Sequence, residues 1–159
     1  MLLSEVFLPE FVIEDLQSED KTEVFEEMVD RFCRVTKLDV RDEVLDALQD
    51  RESKMSTGIQ NGIAIPHGKT TAIERVFGVL GVSKQGIEYD SLDGKPVYLV
   101  LMLLAPPVEA ERHLHLLQRM ANLLRNPDFY KDITGAAGNA GRIFEILKNY
   151  EETEAIADG

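Results

Sequence analysis

Ser56 to Lys69 reads STGIQNGIAIPHGK. One imidazole, His67, follows Pro66 and precedes Gly68, and the apolar run Ile63 to Ile65 leads into it. Proline fixes its own φ and has no N–H to give. Glycine lets the backbone turn sharply and come close to a ligand. A histidine framed this way is presented at the mouth of a strand, not buried in a core. If a backbone carbonyl holds one ring nitrogen, the other is offered as a nucleophile. The hydroxyls of Ser56 and Thr57, with the unpaired backbone N–H groups of the glycine turns, make an anion cradle, and a phosphoryl group suits it best. Other chemistries fit less well. Ser56 lies in no Gly-x-Ser-x-Gly elbow, and no glycine-rich loop ends in Lys-Ser/Thr as a nucleotide kinase requires.

A metal centre needs three or four convergent ligands. His113 and His115 are two residues apart, so on a helix they point about 200° apart and cannot share an ion. Neither metal nor cofactor is expected. Helical phase separates the pair: His113 precedes Leu116, Leu117 and Met120 and continues an apolar stripe, while His115 precedes Gln118, Arg119 and Asn122 and continues a polar one. His113 therefore faces inward. The single cysteine, Cys33, excludes an internal disulfide. It sits at the edge of a helical apolar face without a flanking Lys or His, which reads as a packing residue, not a reactive thiol.

The elements that must position these groups follow from periodicity. Met1 to Phe11 reads as a short edge strand or docking arm. Asp20 and Glu23 have capping-box spacing, and Val24, Phe25, Met28, Val29 and Phe32 predict a helix over 21–35. Asp39 is expected to cap a second helix that ends near Arg51 and Glu52. Val76 to Val82 reads as a buried strand, Gly86 as a turn, and Asp93-Gly94 as a hairpin signal. Val97 to Ala105, nine residues without charge between prolines, reads as a central strand buried on both faces. A helix over 110–125, a short segment around 129–133 and a last helix over 139–150 follow. The expected fold is α/β: a three-layer α/β/α sandwich with a mixed central sheet flanked by helices. It forms one domain over 1–150, with a frayed acidic tail over 151–159.

The chain has 159 residues and a formal net charge of −12, with 44% hydrophobic and 29% charged residues. These values suit a soluble globular domain that buries a substantial core. No basic cluster provides a nucleic-acid footprint. No apolar run reaches the ~18 residues of a membrane span. MLLSEVFLPEF lacks the basic start of a secretory signal, so a cytoplasmic protein is expected.

Arg51-Glu52 followed by STGIQNGIAIPHGK, with Ala105-Pro106 and His113-Leu114 opening a helix, resembles the IIA component of the phosphoenolpyruvate-dependent phosphotransferase system. The likeness is to the mannitol/fructose type, especially its nitrogen-regulatory branch, and covers about Ser4 to Tyr150. The resemblance implies the α/β/α sandwich and a phosphoryl carrier. His67 matches the acceptor of a phosphoryl group from phosphohistidine on HPr or an HPr-like phosphocarrier. Arg51 matches the cation beside that group, and His113 the second histidine that faces the first and supports the phosphorylated state. Ser56, Thr57 and Gly68 are lesser candidates for phosphoryl binding. In the sugar branch the group passes to a cysteine on a IIB domain; in the nitrogen branch the phosphorylation state regulates partner proteins. Gln60 departs from the family's Gly or Ala. At a position requiring positive φ it would be strained by about 1–2 kcal/mol. That departure is the one feature favouring a binding module that has lost transfer.

Overall fold

The structure is a computed structural model that describes the backbone of residues 1–158 and side chains through Glu154. Of the expected frayed tail, Gly159 and the side chains beyond Glu154 lie outside the described residues. In chain order the elements are α1 (Leu3–Val6), a 3-10 turn (Pro9–Phe11), β1 (Val12–Ile13), α2 (Lys21–Thr36) and α3 (Arg41–Glu52). There follow β2 (Ile63–Ala64), β3 (His67–Lys69), β4 (Phe77–Ile87), β5 (Val97–Ala105), a second 3-10 turn (Pro107–Glu109), α4 (Ala110–Leu124), α5 (Pro127–Gly135) and α6 (Ala140–Asp158).

The sheet is mixed, in the order β1-β4-β5-β2 with β3 also along β5. β4 and β5 are antiparallel, whereas β1 runs parallel to β4, and β2 and β3 run parallel to β5. Side-chain alternation along β5 divides the core in two. Val100, Met102 and Leu104 pack with α2 and α3, while Leu99, Leu101 and Leu103 pack with α1, α4, α5 and α6. This is the expected three-layer sandwich, and β5 is buried along both faces except at Tyr98.

Several local expectations are corrected. Met1 to Phe11 forms no strand: α1 and the 3-10 turn bury Leu3, Val6, Phe7 and Phe11, because this apolar segment docks on helices and not on a sheet edge. Asp20 caps α2 by accepting the Glu23 N–H at 2.9 Å, but the Glu23 carboxylate accepts from Glu19 N–H and so the capping box is not closed. α3 starts at Arg41 with Val40 at its cap, leaving Asp39 one residue too early to reach the first-turn donors. Gly86, φ +91°, lies in an irregularity within β4 and does not end the strand. The segment around Phe129 is a full helix begun by Asn126 and Pro127. Residues 151–154, expected to fray, continue α6, and Glu151 is buried.

Candidate functional site

β2 and β3 form one interrupted edge against β5, and the interruption is Pro66. Without an N–H it cannot complete the ladder, although its carbonyl still accepts from Leu103 N–H at 3.0 Å. His67 is the next residue and pairs opposite Leu103. Gly68 packs against α3: a Cβ there would meet Ala47 backbone and side-chain atoms at 3.0–3.2 Å. Alternation then turns His67 and Lys69 the other way. The result is a pocket of about 400 Å³ at the sheet edge, between α3 and the first turns of α4. Asp50 and Arg51 line it from α3, Lys54 from the turn after that helix, and His113, Leu114 and Leu117 from α4.

The tautomer of His67 follows from its two hydrogen bonds. Arg51 Nε lies 3.2 Å from His67 Nε2 and, as a guanidinium, it only donates. Nε2 therefore holds the lone pair, and the ring proton sits on Nδ1, which donates to the Ile65 carbonyl at 2.8 Å. Burial lowers the pKa of His67 below 6.5; the Ile65 hydrogen bond opposes that shift and the Arg51 charge adds to it. The imidazole is neutral at neutral pH, with its nucleophilic nitrogen pointed at a cation. A second Arg51 bond, Nη1 to the Met55 carbonyl at 2.9 Å, steadies the guanidinium.

His113 meets His67 edge-on, with ring centroids 5.6 Å apart and planes at 76°. It is only 2% exposed, and neither ring nitrogen has a protein hydrogen-bond partner among the described residues. Buried polar groups are usually paired, so His113 is an exception to that rule. Burial, then the nearby His67 and Lys69, lower its pKa to about 4. His115 is exposed, as helical phase required.

His67, Arg51 and His113 thus converge, and Gly68 lines the same pocket for a packing reason. Ser56 and Thr57 do not line it. The Ser56 hydroxyl accepts from Gly58 N–H at 3.1 Å. Thr57, 3% exposed, gives its hydroxyl proton to Glu52 and accepts from the Tyr89 hydroxyl. Thr57 is corrected from phosphoryl ligand to structural link. Sequence reasoning missed Lys54 and Lys69; strand alternation from His67 would have found Lys69. Gln60 is exposed and absent from the positive-φ positions; Asn61 (φ 56°) and Gly62 (φ 81°) take that conformation instead. Asparagine and glycine are residues that adopt it readily, so Gln60 carries no backbone strain. Among the described residues no group of three or more His, Cys, Asp or Glu side chains could hold a metal ion. Among the described residues no helix is long and apolar enough to cross a membrane.

Residues 5–150 match the family described as phosphoenolpyruvate-dependent sugar phosphotransferase system, EIIA 2. The chain is 33% identical over 147 residues to a nitrogen regulatory protein of Bradyrhizobium diazoefficiens, covering 92% of this chain and 95% of that one. It is 34% identical over 152 residues to the fructose-specific EIIABC component of Bacillus subtilis, covering 96% of this chain but only 24% of that longer protein. Among solved structures, nitrogen regulatory protein IIA-Ntr from Neisseria meningitidis superposes with a TM-score of 0.83 at 27% identity, covering 91% of this chain and 98% of that one. IIA mannitol from Escherichia coli superposes with a TM-score of 0.73 over 89% of this chain and 98% of that one; at 18% identity it speaks to the fold alone.

Proposed function

The chain belongs to the phosphoenolpyruvate-dependent sugar phosphotransferase system EIIA 2 family, and from that premise we propose that it is a phosphoryl carrier using His67 Nε2. The observation that carries this reading is the tautomer: Ile65 holds the proton on Nδ1, leaving the lone pair of Nε2 directed into the pocket. The donor is phosphohistidine on an HPr-like phosphocarrier. Nε2 attacks phosphorus, a new N–P bond forms, the donor's N–P bond breaks, and the donor imidazole leaves with the electron pair. Such transfer is mainly a matter of positioning and charge stabilisation. Arg51 exchanges its bond to Nε2 for the phosphoryl oxygens, to which its planar fork is suited. His113, neutral at neutral pH, donates its single N–H to the same oxygens and so gains the partner it lacks. Lys69 and the first turn of α4 add positive potential beside the pocket.

Downstream, the phosphorylation state is read by a regulated partner protein in the cytoplasm. Supporting a regulatory role, the relatives named nitrogen regulatory proteins match this chain over nearly the whole of both lengths. The second reading, transfer to a IIB cysteine in sugar uptake, is supported by the fructose-specific relative.

The test uses phosphoenolpyruvate, enzyme I, an HPr-type carrier and intact-mass measurement. One added phosphoryl group, labile in acid and stable in base, is expected. His67→Ala is expected to remove it completely. An unchanged mass for the wild-type chain with both sugar-type and nitrogen-type carriers overturns the reading.

A further inference from the structure

The end of α3 carries a second charged residue that the chemistry above does not use. Glu52, next to Arg51, has a side chain only 8% exposed. Its Oε1 accepts the Thr57 N–H at 2.9 Å and pairs with Lys21 Nζ at 2.9 Å, and its Oε2 accepts the Thr57 hydroxyl at 2.5 Å. The Thr57 hydroxyl in turn accepts from the Tyr89 hydroxyl at 2.7 Å, and Lys21 lies over the Tyr89 ring. One carboxylate therefore ties together the start of α2, the end of α3, the loop that leads to His67, and the segment after β4. A carboxylate this buried is costly unless paired and hydrogen-bonded, and every contact it makes converges on Thr57 or Lys21.

The tie closes the turn over 51–57 on which Arg51 depends. Arg51 binds the Met55 carbonyl inside that turn and His67 Nε2 across the pocket. Ile65 N–H donates to the Thr57 carbonyl at 2.9 Å, so the residue that holds the His67 proton is itself hung from Thr57. Both ends of the Arg51–His67 contact thus lead back to the Glu52–Thr57 pair. We propose that Glu52 is a positioning residue for phosphoryl transfer, setting Arg51 against His67 Nε2 through Thr57. The inference rests on the phosphoryl-carrier reading of the site. The charge of Glu52 also opposes that of Arg51 at His67. The other charged or titratable groups around the pocket are Asp50 from α3, Lys54 from the turn after it, Lys69 on its own strand and His113 from α4.

The deciding variant is Glu52→Gln, which keeps the shape but offers one oxygen where Thr57 presents two donors. Acceptance from the phosphorylated HPr-type carrier is expected to slow at least ~10-fold through kcat, with KM unchanged, as for other supporting residues around a site. The His67 imidazole, followed by NMR, is expected to titrate at lower pH than in the wild type. Thr57→Val, which removes the hydroxyl bond of the tether and leaves the charge, is expected to slow acceptance and, as Arg51 moves off Nε2, to raise the pH at which His67 titrates. It serves as the second test if Glu52→Gln fails to fold by circular dichroism. A folded Glu52→Gln with wild-type rate and unmoved titration overturns the inference, as does a wild-type rate in Thr57→Val. Failure of the wild-type chain itself to accept a phosphoryl group counts against the carrier reading, and the His67 titration in Thr57→Val, where the Glu52 charge is kept, still tests the positioning.

Discussion

Helix α4 touches two buried polar groups that the protein treats in opposite ways. Near one end His113, 2% exposed, has no partner for either ring nitrogen among the described residues. Further along, Arg119 reaches Glu151, 3% exposed, whose carboxylate also accepts the backbone N–H groups of Leu3 at 2.5 Å and Ser4 at 3.1 Å. Glu151 closes the first turn of α1 and fastens the start of the chain to its last helix. Burial is common to both; what differs is that the Glu151 carboxylate is hydrogen-bonded at both oxygens, although Arg119 Nε beside it also lacks a partner among the described residues. The hydrogen-bonded carboxylate stabilises, and under the proposed function the imidazole's N–H would find its partner in the phosphoryl group.

Glu151→Ala gives the largest expected break in this contrast. It strands two backbone donors and Arg119, costing roughly 3 kcal/mol. Thermal denaturation should show the melting temperature falling by about 6–12 °C for a chain of this size, with phosphoryl acceptance retained well below that range. An equal loss of acceptance in the folded variant would place Glu151 in the site.

Acid should destabilise through the histidine side. The folded pKa of His113 lies below its unfolded value of 6.5, at about 4. The unfolded chain therefore binds the proton more readily. This contribution is complete above pH 6.5 and is lost as pH falls toward 4, by up to roughly 3 kcal/mol at 1.36 kcal/mol per unit. His67 acts in the same direction. Urea denaturation at neutral pH and at about pH 5 should show the slope in the wild type and a flatter one in His113→Leu.

Arg51→Lys keeps the charge but loses the planar fork. Acceptance kinetics should fall by about 2 kcal/mol, roughly 30-fold, with little change in melting temperature. His113→Leu should leave stability at neutral pH unchanged or raised by about 1 kcal/mol, since it removes an unpaired buried group. It should keep acceptance at His67 while slowing onward transfer about tenfold. Full loss of acceptance would make His113 essential to the first step. Gln60→Gly should change acceptance and stability least, within about 0.5 kcal/mol, because Gln60 is exposed and unstrained.

Much of the site was legible before any coordinates. The Pro66-His67-Gly68 frame singled out His67, and helical phase chose His113 over His115 as the inward-facing residue. Both signals are local: a proline's missing donor and a 3.6-residue period act within a few residues of where they are read. The nine uncharged residues of β5 likewise announced a central strand, because burial on both faces removes alternation. The α1 turn, the late start of α3 and the helical run through residue 154 were not legible, since each depends on what lies against it.

The sequence by itself determined most of the element types, the sandwich and the identity of the two histidines. Tertiary structure decided their state. Arg51 and His67 are 16 residues apart, and only their meeting at 3.2 Å places the lone pair on Nε2. Thr57 was read as a ligand because its hydroxyl lies near His67 in the chain. Its actual partner on Tyr89 is 32 residues away, and Glu52 claims its proton. Hydrogen-bond partners across such separations are chosen by packing, so a residue's type shows what it can donate or accept, and the fold determines to whom.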